Sequence, residues 1–301
     1  MVSLLKPSTQ IFLNDVNRIA AQMSQAQLQL SSGLKVNVVS DAPDVISTLL
    51  QARSNLNTAQ QIATNLGQVN TEVNAGEQAV STAVTLYDQV QTLSAEGASS
   101  TQSASGRVAI AQQLQSIEQQ MVGLANTSVN NRHIFSGDTD QVQPYTFDAT
   151  QTNPVSAYQG STSTRTVQGP NGTTFPIALT AQQIFDSTDP TTNVFTSINS
   201  MVTALNSNSD TAIATANSGL ANVSTYMNSQ LAFYGGVQNS VSAATDSAAT
   251  LTVQLQTQIS GIEDADETQS ILALTQAQTQ QQAALQSFQA IPRTTLFDFL
   301  G

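Results

Sequence analysis

Two stretches near opposite ends of the chain place apolar residues at alternating steps of three and four. The first reads Phe12, Val16, Ile19, Met23, Ala26, Leu30, and the second reads Val237, Val241, Ala244, Ala248, Leu251, Leu255. This spacing keeps one stripe of a helix turned toward a partner helix. With one stripe at each end, the simplest burial pairs the two ends of the chain and lets the middle project from the far end of the bundle. The expected fold is mainly α: an elongated coiled-coil helical bundle formed by paired N- and C-terminal segments, with a small β-rich inserted domain.

Local signals subdivide this plan. A helix is predicted over 9–31, stopped by Ser31-Ser32-Gly33, where glycine suits the left-handed residue after a helix. In the connector that follows, Asp41 is expected to cap the next helix, with Pro43 in its first turn. That helix carries the longest seam: Leu49, Ala52, Leu56, Ala59, Ala63, Leu66, Val69, Val73, Gly76, Val80, Ala83, Tyr87, Val90. A Ser- and Gly-rich turn over 96–106 leads to a third helix with Ile110, Leu114, Ile117, Met121 and Leu124, expected to fold back on the second.

From Asn130 to about Pro190 the chain turns rich in Thr, Ser, Gly and Pro. Short strands are predicted around 145–147, 155–158, 164–167 and 174–179, with Gly169-Pro170-Asn171-Gly172 as the turn between the last two. Helical spacing resumes at Phe195 and runs through Ile262, with a polar break at 206–210 and a weak point at Gly235-Gly236. A last helix, about 268–290, uses Ile271, Leu274, Leu285 and Phe288. The expected division is 1–40 plus 265–301 as terminal helices that order on assembly, 41–137 plus 193–264 as the bundle core, and 138–192 as a β-rich outward insertion.

Composition narrows the function. Charged residues are 9% of the chain, against ~25% in an ordinary soluble domain. Gln, Ser, Thr and Asn cover the polar faces instead, and such faces repel one another weakly enough for many copies to pack densely. The net charge is −12 with 8 Lys plus Arg, and no basic residue lies between Arg165 and Arg293. Neither nucleic acid nor an anionic membrane surface is an expected partner. No apolar run approaches the ~20 residues of a transmembrane helix. Met1-Val2-Ser3-Leu4-Leu5-Lys6-Pro7 is too polar downstream for a cleavable signal peptide, so export is expected to use another route.

Chemistry-bearing patterns are sparse. There is no cysteine, and His133 is the one histidine, read as structural. Glu263-Asp264-Ala265-Asp266-Glu267 is the densest carboxylate run, but it lacks the glycine-bearing loop of a calcium site and is read as a solvated or salt-bridged helix surface. No phosphate-cradling loop and no nucleophile elbow is present. The expectation is a non-enzyme with no catalytic, cofactor or metal site.

Ser31-Ser32-Gly33-Leu34-Lys35 followed by Ser40-Asp41-Ala42-Pro43 resembles the N-terminal signature of bacterial flagellins and their hook-associated relatives. Ile262-Glu263-Asp264-Ala265-Asp266, followed by a Gln-rich helix, resembles their C-terminal signature. Asn131-Arg132-His133-Ile134-Phe135-Ser136-Gly137 and the terminal Leu296-Phe297-Asp298-Phe299-Leu300 look like the branch that joins hook to filament. The resemblance implies a flagellar structural subunit, exported unfolded by the type III apparatus and assembled outside the cell. A filament flagellin is the second reading, and a secreted coiled-coil adhesin a more remote one. Implied partners are copies of the chain itself, a neighbouring hook-associated protein, flagellin and an export chaperone. The subunit interface is expected at Phe12, Val16, Ile19, Met23, Leu30, Leu274, Leu285, Phe288, Leu296, Phe297, Phe299 and Leu300. The bundle seam is expected at Leu56, Leu66, Val73, Val80, Tyr87, Val241, Leu251, Leu255 and Ile262.

Overall fold

The computed structural model describes residues 7–290. Their chain order is α1 (Pro7–Ser32), α2 (Ile46–Gly97), α3 (Ala104–Ala125), β1 (Ser128–Val129), β2 (Arg132–His133), β3 (Thr166–Gln168), β4 (Thr174–Pro176), α4 (Ala181–Phe185), α5 (Val194–Asn206), α6 (Asp210–Glu263) and α7 (Glu267–Ala290). The fold is mainly helical, as the apolar periodicity requires. It divides into two compact units: residues up to 58 together with those from 252 onward, and residues 59–251. α2 and α6 each contribute to both.

The long seam of α2 follows the sequence spacing closely. Buried or half-buried positions fall at 49, 52, 56, 59, 63, 66, 69, 73, 76, 80, 83, 87 and 90. The alternation of three and four breaks once, at 63–66–69, where two steps of three adjoin and tighten the seam locally. Leu66 is fully buried there, packed with Ala244 and Ala248 of α6. Val73, Val80, Tyr87 and Val241 are buried in the main core of the second unit, while Leu251 is half-buried. α6 passes through Gly235-Gly236 unbroken. Gly76 is required by packing: a Cβ there would stand 2.7 Å from the Tyr234 ring.

Three features depart from the expectations. Asp41 does not cap α2. It ends a 3-10 turn over Val39–Asp41 and folds back, its Oδ2 accepting from the Asn37 and Val38 amides at 2.9 Å, and α2 starts at Ile46 beyond Pro43. The acidic run 263–267 is a helix surface only at its two ends; Glu263 closes α6 and forms a salt bridge, Glu267 opens α7, and 264–266 are the connector between them. The 138–192 stretch holds little sheet. β3 and β4 pair around the expected Gly169–Gly172 turn, but the two earlier strand candidates reduce to a bridge between Phe147 and Val155, and α4 lies where no helix was expected. Thr180 and Gln183 form a capping box at the start of α4, a signal too short to be seen without its packing.

The core explains why so little sheet suffices. Tyr145, Ile177, Ile184 and Phe185 from this stretch are buried in the same cluster as Leu114, Met121, Ile198 and Met227 of the helices. Its backbone is further anchored by Glu72 on α2. Arg165 Nη1 lies 2.5 Å from Glu72 Oε2, and Arg132 reaches Glu72 Oε1 at 3.5 Å and Asp140 at 2.5 Å. The hydrogen bond from Arg132 holds the Asp140 carboxyl below the usual carboxylate range. Between β1 and β2, Asn130 and Asn131 both take positive φ, 52° and 61°, which is the two-residue hairpin turn matched to strand twist. His133 serves this corner, its Nδ1 sharing a 2.9 Å hydrogen bond with the Asn126 carbonyl.

Candidate assembly interface

In the first unit, the two stretches that carry the sequence signatures meet. Gly33 ends α1 with φ 72°, turning the chain so that Leu34 bridges Asp264 in antiparallel fashion. The Lys35 amide donates to the Glu263 carbonyl at 2.6 Å, and the Ala265 amide donates to the Gly33 carbonyl at 2.8 Å. The buried Glu263 carboxylate takes the guanidinium of Arg53, which reaches it from α2. The acidic connector is thus one half of a backbone clamp, and the Ser-Ser-Gly stop is the other. Asp264 is occupied locally, accepting from Ser260 Oγ.

The clamp sets the register of α1 against α7. These two helices pack along most of their length, with Phe12 stacked on Phe288 (ring centroids 4.2 Å apart, planes at 16°) at one end and Ser270 reaching Gln29 at the other. The pair is therefore antiparallel. On α1 the facing stripe is Phe12, Val16, Ile19, Met23, Ala26 and Gln29; on α7 it is Ser270, Leu274, Ala277, Gln281, Ala284 and Phe288. Only Ile19, Ala26, Ser270 and Ala277 along these stripes are fully buried. The seam is narrow, a quarter of it is polar, and most of its positions are only half-buried, a poor core for a pair of helices standing alone.

Of the interface residues expected from sequence, Phe12, Val16, Ile19, Met23, Leu274 and Phe288 lie in this internal stripe, whereas Leu30 and Leu285 are exposed. Leu296, Phe297, Phe299 and Leu300 lie outside the described residues. Of the bundle-seam residues in this unit, Leu255 is buried, and Leu56 and Ile262 are half-buried.

The same two helices carry a second apolar set, of which the sequence reading named Leu30, Ile271 and Leu285 and missed the rest. Ile11 (63% exposed), Leu13 and Leu28 on α1, and Leu272 (66%) on α7, face solvent together with Leu30, Ile271 and Leu285. Among the described residues, thirteen large hydrophobics are exposed; eleven belong to this unit and only Val108 and Val142 to the other. Single exposed apolar residues need no explanation, but a concentration of this kind marks an interaction surface. A three-four count followed one stripe per helix and passed over the other.

The clamp makes a direct prediction. Glu263→Ala should remove one charge-assisted hydrogen bond whose guanidinium partner is half exposed, costing about 1 kcal/mol. Arg53→Ala should cost more, about 2 kcal/mol, because it leaves the buried Glu263 carboxylate unpartnered, and the double variant should cost less than the sum of the two, as read by chemical denaturation. Additive losses would mean that the two side chains do not act as a pair.

Elsewhere among the described residues there is no group of three or more His, Cys, Asp or Glu side chains placed to hold a metal ion, and no helix is long and apolar enough to cross a membrane.

Comparison with known proteins gives a consistent result. Residues 6–140 match the family model of the bacterial flagellin N-terminal helical region, and residues 219–300 match that of the C-terminal helical region. No curated protein matches the chain. Among solved structures, one of Vibrio parahaemolyticus, described as a flagellar hook-associated protein, is 15% identical with a TM-score of 0.65, covering 74% of this chain and 100% of that one. FlgL of Xanthomonas campestris is 18% identical with a TM-score of 0.60, covering 69% and 99%. FlgL of Bacillus cereus is 17% identical with a TM-score of 0.54, covering 69% and 96%. At these identities the likeness is one of fold.

Proposed function

We propose, for a chain that belongs to the bacterial flagellin family, the role of a structural subunit joining hook to filament. The observation that carries this reading is the crowding of exposed apolar side chains on α1 and α7, whose internal seam is too thin to hold them alone. In an assembly, neighbouring copies supply the missing faces, and terminal ordering and subunit addition become one coupled event. The likeness of fold to FlgL structures from two organisms supports the junction branch over the filament. The subunit would be exported unfolded by the type III apparatus with a chaperone and would act outside the cell, between a hook-associated protein and flagellin. The stretch 138–192 would face outward from the assembled helices.

The test is a strain lacking the gene. Hooks without filaments, with flagellin shed into the medium and filaments restored by this chain, are the expected result. Normal filaments in that strain would overturn the junction role. Filaments built mainly of this chain would establish the filament reading in its place.

A further inference from the structure

Glu118 on α3 is 1% exposed, and neither carboxyl oxygen has a hydrogen-bond partner. A buried carboxyl left in this state is costly, and its position calls for an explanation. It lines a cleft of about 450 Å³ closed by α5, the 153–157 segment and Asp186. Asp186 is engaged within the protein: its Oδ1 accepts from Asn193 at 2.8 Å and its Oδ2 from the Tyr145 hydroxyl at 3.4 Å. Thr196 and Ser200, one turn apart on α5, also line the cleft. Asn199 beside them is turned to the Thr152 carbonyl.

The charges facing this space all have one sign. α5 and residues 153–157 contain no ionisable side chain, so only Glu118 and Asp186 are charged there. Among the described residues no salt bridge to Glu118 is formed, and the chain from 166 to 292 has no Lys or Arg to offer one. A hard divalent cation lacks a ligand set here, since no group of three metal-binding side chains exists among the described residues. A quaternary ammonium would want an aromatic cage, and Phe195 is the one aromatic ring on the wall.

We propose that this cleft binds a small organic cation bearing N–H donors, a primary ammonium or guanidinium group, which pairs with Glu118 and hydrogen-bonds the Thr196 and Ser200 hydroxyls. The missing partner of Glu118 is then the ligand, which reaches the two oxygens, closed to solvent in the free protein, as the cleft wall over them gives way. Burial pushes the Glu118 carboxyl up to about 7 in the free protein. A cation prefers the ionised carboxylate, so affinity rises as pH rises through that value, and bound cation pulls the titration midpoint down. The linkage also has a sign for stability. Because the folded form holds the Glu118 proton more tightly than the unfolded chain, stability falls as pH rises through about 7, and the cation offsets that fall.

The experiment follows the Glu118 side-chain carboxyl by NMR in the full chain, labelled at glutamate, with methylammonium, guanidinium or tetramethylammonium as probe. Methylammonium or guanidinium should lower the titration midpoint by about one unit, a tenfold change in proton affinity, saturably, while tetramethylammonium should not. Glu118→Gln should abolish saturable binding, read from calorimetry. The Thr196→Ala, Ser200→Ala double variant should weaken binding about tenfold while leaving the ligand-free Glu118 titration in place, so the idea does not depend on Glu118→Gln folding. Equal response to all three cations, which is ionic screening, or no saturable response to any, would overturn the proposal.

Discussion

Leu66→Asp is expected to unfold the second unit at ambient temperature. Leu66 is fully buried where two steps of three meet on α2, in a cluster with Ala244 and Ala248 against which the half-buried Ile62, Ala63, Val167 and Phe175 pack. Removing the leucine forfeits roughly 1.5–3 kcal/mol of apolar burial. Placing an unpartnered carboxyl there costs several kcal/mol more, either as a buried charge or as the work of neutralising it. The total approaches the ~5–15 kcal/mol that holds an entire domain. Because a buried Asp resists ionisation, the defect should deepen as pH rises, which separates a carboxylate penalty from a loss of volume. Leu66→Ala is the control. It removes the same leucine side chain without adding a carboxyl, so about 3 kcal/mol is expected. Leu251→Asp should do less than Leu66→Asp, since Leu251 is half-buried. Circular dichroism melts of the three variants give the order, and a Leu66→Asp melt overlying the parent would remove Leu66 from the interior.

That residue also shows what was legible in the sequence. A helix that keeps one face against a partner for its whole length must repeat that face in its own sequence, so α2 could be read from Leu49 to Val90 without a structure. The same logic worked for Ile110 to Met121 on α3 and for Phe195 to Leu205 on α5. It ran out where burial is assembled from distant pieces. Tyr145 sits in irregular chain, Ile184 and Phe185 sit in the five-residue α4, and all three are buried by other elements, so no local period announces them. The type of turn at Asn130-Asn131 depends on two left-handed residues whose strands are only two residues long. The 263–267 run looked like a helix surface because its partner, the Gly33–Lys35 backbone, lies more than two hundred residues away in sequence. Only the resemblance to the two family signatures linked those stretches, and it said nothing of the clamp that joins them.

The exposed apolar set was largely missed for a different reason, and it yields the second large effect. A helix in an assembly has two apolar jobs, one toward its own chain and one toward a neighbour. On α1 the internal job falls to Phe12, Val16, Ile19, Met23 and Ala26, leaving Ile11, Leu13, Leu28 and Leu30 for the other; a single-stripe count blends the two. Leu28→Glu combined with Leu272→Glu separates them. Both side chains are largely exposed in the single chain, so its melting should move by no more than about 0.5 kcal/mol. Between copies the same residues would each forfeit roughly 1.5–3 kcal/mol of burial and bring carboxylates into an apolar contact, once per subunit around the assembly. Cells carrying only this variant should export it, display hooks, and shed flagellin without building filaments. The matched control is Val108→Glu with Val142→Glu, the same chemistry at the two exposed apolar residues of the other unit, which should leave filaments intact. Electron microscopy of the cells, with the variant and flagellin assayed in the medium, reads all of these outcomes. Filaments of normal length on the Leu28→Glu, Leu272→Glu cells would mean that Leu28 and Leu272 make no contact in the assembly. Loss of filaments in the control as well would mean that the contact surface extends beyond the terminal helices to α3 and the stretch around Val142.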